Sequence, residues 1–128
     1  MVIIMKKEII IGASPPVGPY SPGIKVGNFL FISGQGPFDP NGAKVPEDIE
    51  LQTKFALENI KNIVEKAGLT MENLVKTTVF LKNMDEFSKM NRAYRKFFKT
   101  EPPARSCVEV ARLPFDIHVE IEAIAFIP

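Results

Sequence analysis

Between Asp48 and Ala67 the apolar residues Phe55, Ala56, Ile60, Ile63, Val64 and Ala67 recur three and four apart. That spacing lays one apolar stripe along a helix and predicts one over this span. Gly68 follows where a C′ glycine belongs, with Leu69 placed to contact the last turn. The rhythm then changes. From Val75 to Lys82, Val75, Thr77, Val79 and Leu81 alternate with Lys76, Thr78, Phe80 and Lys82, a β-branched run of period two that predicts a strand. Asp85 offers an N-cap to a second helix, whose stripe of Phe87, Met90, Tyr94, Phe97 and Phe98 stops before Pro102-Pro103.

Strands return in the last third, over Ala104 to Ala111 and, past a break at Leu113-Pro114, over Ile117 to Ile127. In the final run Ile117, Val119, Ile121, Ala123, Ala125 and Ile127 share one face, suited to packing under helices. His118, Glu120, Glu122, Ile124 and Phe126 share the other. Earlier in the chain, Ile24–Val26 and Phe29–Ile32 flank Gly27-Asn28, which predicts a β-hairpin. Two stretches dense in Pro and Gly, 12–23 and 33–46, predict loops. The first holds Tyr20 behind three prolines that lock φ and remove backbone donors. Strand-rich ends with helices between them argue an α+β sandwich, with both helices on one face of a mixed sheet. The other face carries charge among apolar residues and asks for a partner surface.

A chain of 128 residues, 45% hydrophobic, suits one domain over 1–128 that buries a core without staples. Sixteen Lys and Arg against fifteen Asp and Glu leave a charge of +1, which counts against nucleic acid and anionic membranes as partners. Cys107 and His118 are the sole residues of their kinds, too few for a structural zinc site or an intrachain disulfide. The opening Met1–Met5 is too short for a signal h-region, and no run reaches the length of a membrane span. A soluble cytoplasmic protein is expected.

Arg105 and Cys107 alternate onto one face of their strand, and Glu120 and Glu122 onto one face of theirs. Were those two strands to pair about Leu113-Pro114, a guanidinium, a thiol and a carboxylate would converge. Arg holds a carboxylate bidentately, and a Glu among apolar residues has a raised pKa suited to proton transfer near neutrality. An Arg–Glu pair joining neighbouring strands is the plainer reading of the same spacing. A thiol hydrolase built on Cys107 and His118 is the less favoured alternative, since lone strand cysteines are usually small core residues. Ser33-Gly-Gln-Gly36 lacks both the dinucleotide and the P-loop pattern.

Gly18-Pro-Tyr-Ser21, Phe31-Ile-Ser-Gly-Gln35, Val75-Lys-Thr-Thr-Val-Phe80, Pro103-Ala-Arg-Ser-Cys-Val-Glu-Val110 and Ile117-His-Val-Glu-Ile-Glu-Ala123 together closely resemble the Rid, or YjgF, family of reactive intermediate deaminases. The resemblance covers nearly the whole chain. It implies a chorismate-mutase-like α+β fold and a homotrimer with a barrel-like centre and pockets at the subunit clefts. The implied reaction is hydrolysis of reactive enamine and imine acids, such as 2-aminoacrylate and 2-aminocrotonate, to 2-oxo acids and ammonia, without metal or cofactor. Carried over by position, Arg105 clamps the substrate carboxylate, the Cys107 backbone lines the pocket and Glu120 positions or activates water. Tyr20, Ser33, Gly34 and Asn91 shape the rest. Three positions depart from the family's habit: Gly36 stands for a bulky aliphatic residue, Pro22 for a common Gln, and Phe115 for an often polar residue. The family also holds proteins described as translation-inhibiting ribonucleases, and others regarded as ligand-binding or chaperone-like.

Overall fold

The computed structural model describes residues 5–128. Within it the chain runs β1 (Glu8–Ile10), β2 (Gly23–Val26), β3 (Phe29–Gln35), α1 (Ile49–Lys66), β4 (Leu74–Leu81), α2 (Phe87–Arg95), β5 (Ala104–Glu109) and β6 (Val119–Phe126), with short 3-10 turns before β4, α2 and β6. Most of the opening Met1–Met5 segment lies outside the described residues.

Helix α1 begins where the Asp48 carboxylate accepts from the Leu51 amide at 2.9 Å, a cap worth about 1 kcal/mol. It ends in a Schellman turn. Gly68 adopts φ +79°, its amide reaches the Glu65 carbonyl at 3.0 Å, and the Leu69 amide reaches the Val64 carbonyl at 2.9 Å. Ala56, Leu57, Ile60, Ile63 and Val64 are buried along its inner stripe, while Phe55 is only half-buried. The start of α2 differs from the expectation. Asn83, not Asp85, supplies the side-chain cap, accepting from the Asp85 amide at 2.9 Å and opening a 3-10 turn that leads into the helix. The extra turn takes up the residues an Asp85 cap would have used. Phe97 and Phe98 fall beyond the helix but still pack on the core.

Six strands make one sheet in the order β1-β2-β3-β6-β4-β5, with β4 and β5 parallel and every other pair antiparallel. The β2–β3 hairpin turns through Gly27 at φ +56°, the first central position, where a glycine tolerates the left-handed backbone. Ser33–Gln35 continues β3 rather than opening a loop, and the register shifts between Ile32 and Gln35. A second shift between Leu74 and Lys76 turns Val75 outward, so Leu74 takes the buried place expected for it. Strand β6 alternates as its sequence does. Val119, Ile121, Ala123 and Ala125 are buried under the helices together with Leu30, Ile32, Thr77, Val79 and Leu81.

The pairing of the last two strands with each other does not occur. Strand β4 lies between β5 and β6, bonded to both. The connection through α2 is a crossover, and a crossover returns its strand parallel to the one it left. The helix-free face of the sheet displays Phe29, Phe31, Val108 and Phe126, all exposed. Phe29 packs against both Phe31 and Phe126 with ring centroids 6.1 Å apart. Among the described residues, no helix is long and apolar enough to cross a membrane.

Candidate functional site

In-register parallel neighbours point to the same side of a sheet, and β5 pairs Arg105 with Thr77 and Cys107 with Val79. Thr77 and Val79 are fully buried under the helices, so Arg105 and Cys107 face the helix layer from the outermost strand. There the Arg105 guanidinium lies over two rings of α2, 4.8 Å from the Tyr94 centroid and 5.5 Å from that of Phe87. Among the described residues it has no carboxylate within ion-pair distance. The Tyr94 hydroxyl and the Thr77 hydroxyl share a buried hydrogen bond of 2.7 Å. Burial raises the Tyr94 pKa, against smaller lowering effects of that bond and of Arg105.

Glu120 stands on the opposite face, paired through β4 with Phe80. The irregularity in β3 brings Gly34 against it: a Cβ at position 34 would stand 2.6 Å from Glu120 Oε2 and 2.8 Å from its Cδ. Only a residue without a side chain leaves that room. Burial, and secondly the like charge of Glu122, raise the Glu120 pKa. Beside these glutamates the helix-free face sinks into an open concavity of about 350 Å³. It is lined among others by Ser33, Phe31, Lys76, Thr78, Glu122 and Ile124.

Within one chain the structure therefore separates the expected residues into two groups. Arg105, Cys107 and α2 lie on the helix side, and Gly34 and Glu120 on the other. Ser33 ties the first loop to the second group, its hydroxyl donating to the Ser21 carbonyl at 2.7 Å and its amide to the Pro22 carbonyl at 2.9 Å. Pro22 is buried there, and Tyr20 stays exposed two residues earlier. Asn91 sits on α2 between Phe87 and Tyr94, with its Oδ1 buried and without a hydrogen-bond partner among the described residues.

The Cys107 thiol is pushed up by burial, with Arg105 opposing, which disfavours the thiolate a nucleophile needs. His118 is engaged elsewhere. Its Nδ1 lies 3.1 Å from Glu86 Oε1, and its amide donates to Gln52 Oε1 at 2.8 Å.

Two departures from the family pattern meet in one cluster. A Cβ on Gly36 would stand 2.7 Å from the Phe38 ring and 2.9 Å from Ile117 Cδ1, so Phe38 fills the space an aliphatic residue at 36 would take. Phe38 in turn meets Phe115 edge-on at 5.5 Å. Phe115 is 74% exposed and holds φ +58°, a left-handed conformation that is costly for a bulky residue.

The sequence pattern placed Phe87 and Tyr94 in the apolar stripe of α2 and gave them no part in the site. Their i, i+7 spacing was the signal for a shared helix face, but nothing local showed that Arg105 would lie over it.

Residues 11–127 match the model of the family described as Endoribonuclease L-PSP. A RutC family protein of Pyrococcus abyssi is 51% identical over 125 residues, covering 95% of this chain and 98% of the relative. The Escherichia coli K12 protein named 2-iminobutanoate/2-iminopropanoate deaminase is 47% identical over 125 residues, covering 94% and 98%. Among solved structures, that of E. coli TdcF with bound serine superposes with a TM-score of 0.91 at 40% identity, over 94% of this chain and 99% of that one. The chain belongs to this family, also called YjgF or Rid, and has its α+β fold of a mixed sheet under two helices.

Proposed function

We propose that the protein is a hydrolytic deaminase of small 2-imino and 2-enamino acids, working in the cytoplasm as a homotrimer. A 2-enamino acid first tautomerises to its 2-imino acid, its C3 gaining the proton that nitrogen loses; water then adds to the electrophilic C=N carbon, the resulting carbinolamine loses ammonia, and a 2-oxo acid is left. Arg105 takes the substrate carboxylate through the edge of its fork. Glu120 accepts a proton from the attacking water and returns it to the departing nitrogen, and burial, which raises its pKa, makes its carboxylate a stronger base than a free glutamate. The Cys107 backbone, Ser33, Gly34, Tyr20 and Asn91 complete the cavity, and no covalent intermediate is needed because orientation acts on an already reactive carbon.

The observation that carries this reading is the Arg105 guanidinium at the sheet edge, free of any carboxylate partner among the described residues, with Glu120 on the opposite face of the same sheet. One chain cannot aim both at one small molecule. Two chains can, if the edge of one meets the aromatic, glutamate-bearing face of the next, and the exposed Phe29, Phe31, Val108 and Phe126 suit that face to burial. The names of relatives at about half identity point to the same chemistry.

The test is to generate the enamine in place with a threonine or serine dehydratase and follow 2-oxo acid formation with and without the protein. Acceleration over spontaneous hydrolysis is expected, lost in Arg105→Ala and little restored in Arg105→Lys, because a point charge cannot copy the fork. An unchanged rate for both enamines ends the deaminase reading in favour of carboxylate binding alone. In that case Glu120→Gln leaves 2-oxo acid binding intact and costs no other function.

One feature favours a second reading, the ribonuclease of the family's description. Lys89, Arg92, Arg95, Lys96 and Lys99 are exposed along α2 and just past it. Salt-dependent binding of single-stranded RNA, weakened by reversing two of these charges, is its signature.

A further inference from the structure

A guanidinium offers two kinds of surface: flat faces that attract aromatic rings, and an edge carrying five N–H donors. A carboxylate on the protein would occupy the edge. Here Arg105 is held by its faces, over Tyr94 and Phe87 of α2, and its edge is left without a carboxylate among the described residues.

The holding group is itself fixed from behind. Tyr94 is 6% exposed, its ring lies 4.7 Å from that of Phe98, and its hydroxyl is tied to Thr77 at 2.7 Å. Thr77 is the residue that faces Arg105 across the parallel β4–β5 pair. Three elements thus close a triangle: a hydroxyl on β4 fixes a ring on α2, and the ring fixes a guanidinium on β5. A buried threonine hydroxyl is costly unless bonded, so this partner sets the Tyr94 ring and not merely its neighbourhood.

We propose that Thr77, Tyr94 and Phe87 are positioning residues that present the edge of Arg105, already ordered, to a planar carboxylate. The proposal rests on the reading of Arg105 as the carboxylate clamp, and it adds the part of the chain that makes the clamp rigid. A free arginine loses much rotamer freedom when it binds; an arginine cradled by its faces has lost it beforehand, without spending a donor. The cradle also predicts that lysine is a poor substitute, since an ammonium has neither flat faces nor a planar edge.

The experiment is calorimetric titration of the intact protein with 2-oxobutanoate, joined to proton–nitrogen NMR of the Arg105 side chain without ligand. In wild type the Arg105 Hε resonance is expected upfield, shifted by ring current, and 2-oxobutanoate binding is expected to vanish in Arg105→Ala. Phe87→Leu should weaken binding about 3- to 30-fold, the range that a cation–π contact spans, move the Hε resonance downfield and raise KM by a similar factor. Phe87→Tyr should restore both.

Thr77→Val, which keeps shape and removes the hydroxyl, should loosen the cradle in the same direction without removing a ring. It covers the case in which Tyr94→Leu fails to fold. Phe87→Leu and Thr77→Val proteins that bind 2-oxobutanoate like wild type would overturn the cradle while leaving the deaminase reading in place. A wild type whose Hε is ring-shifted but which binds no 2-oxobutanoate overturns the carboxylate reading on which the proposal rests.

Discussion

The Glu120 carboxyl occupies the space in which a side chain at position 34 would begin, with Oε2 only 2.6 Å from a Cβ placed on Gly34. Gly34 is in an ordinary backbone region, so its lack of a side chain serves the glutamate and not a turn. Gly34→Ala is therefore expected to swing Glu120 aside while the sheet survives. Turnover should fall roughly tenfold or more, with the melting temperature moving by less than about 4 °C. A coupled dehydratase assay and a thermal melt check both.

The proton-accepting form of Glu120 is the carboxylate, and burial followed by Glu122 holds its pKa above the ordinary glutamate range. The acid limb of kcat should accordingly lie at higher pH than a free glutamate would give. Glu122→Gln should bring the limb down by removing the like charge. Stability moves the other way. A carboxyl whose pKa is raised in the fold contributes stability in full below its unfolded value and loses it as pH rises through the folded one. Glu120→Gln should then melt higher than wild type at neutral pH and no higher in acid, which melts at the two pH values will read.

Mixing two dead variants should restore activity. If Arg105 comes from one subunit and Glu120 from the next, Arg105→Ala and Glu120→Gln trimers that are dissociated, mixed equally and reassociated will hold about one quarter wild-type sites. Recovery near that fraction supports the shared site, and no recovery in well-mixed trimers places both groups in one chain.

Cys107→Ser should keep most of the activity. Burial raises the pKa of the thiol, and its side chain packs toward the core. Loss of turnover with an unchanged melt would bring the thiol back as a nucleophile.

Gly36 and Phe38 should behave as a coupled pair. Gly36→Leu is expected to cost about 1–3 kcal/mol by forcing the Phe38 ring out of its place. Phe38→Ala should relieve much of that cost in the double variant, and a thermodynamic cycle from denaturant melts measures the coupling.

Much of this architecture was legible in residue patterns. The stripe of α1 and its Gly68 stop, the Gly27-Asn28 hairpin and the two faces of β6 all follow from local rules. What stayed hidden was non-local. Nothing near Arg105 or Glu120 shows that β4 lies between their strands, because hydrogen-bonded neighbours are chosen by crossover geometry and by the fit of whole faces. Single-residue register shifts at Val75 and Ser33-Gly34 leave too faint a trace to read beforehand. Strand alternation singled out Arg105, Cys107 and Glu120, and the family resemblance added Tyr20, Ser33, Gly34 and Asn91; their division between two faces came from the topology.

Strand β6 sits in the middle of the sheet, yet it follows every other strand in the chain. During synthesis the β1–β2–β3 unit and the β4–α2–β5 unit must wait side by side, each with an inner edge of unpaired amides and carbonyls, until β6 slots between them. For that interval the nascent chain is two sticky half-sheets. Cooperative folding has to be deferred to the arrival of eight residues, Val119 to Phe126. A stop codon ahead of them would abolish the fold, not trim it, and a chaperone that shields open strand edges would have its work in that short window.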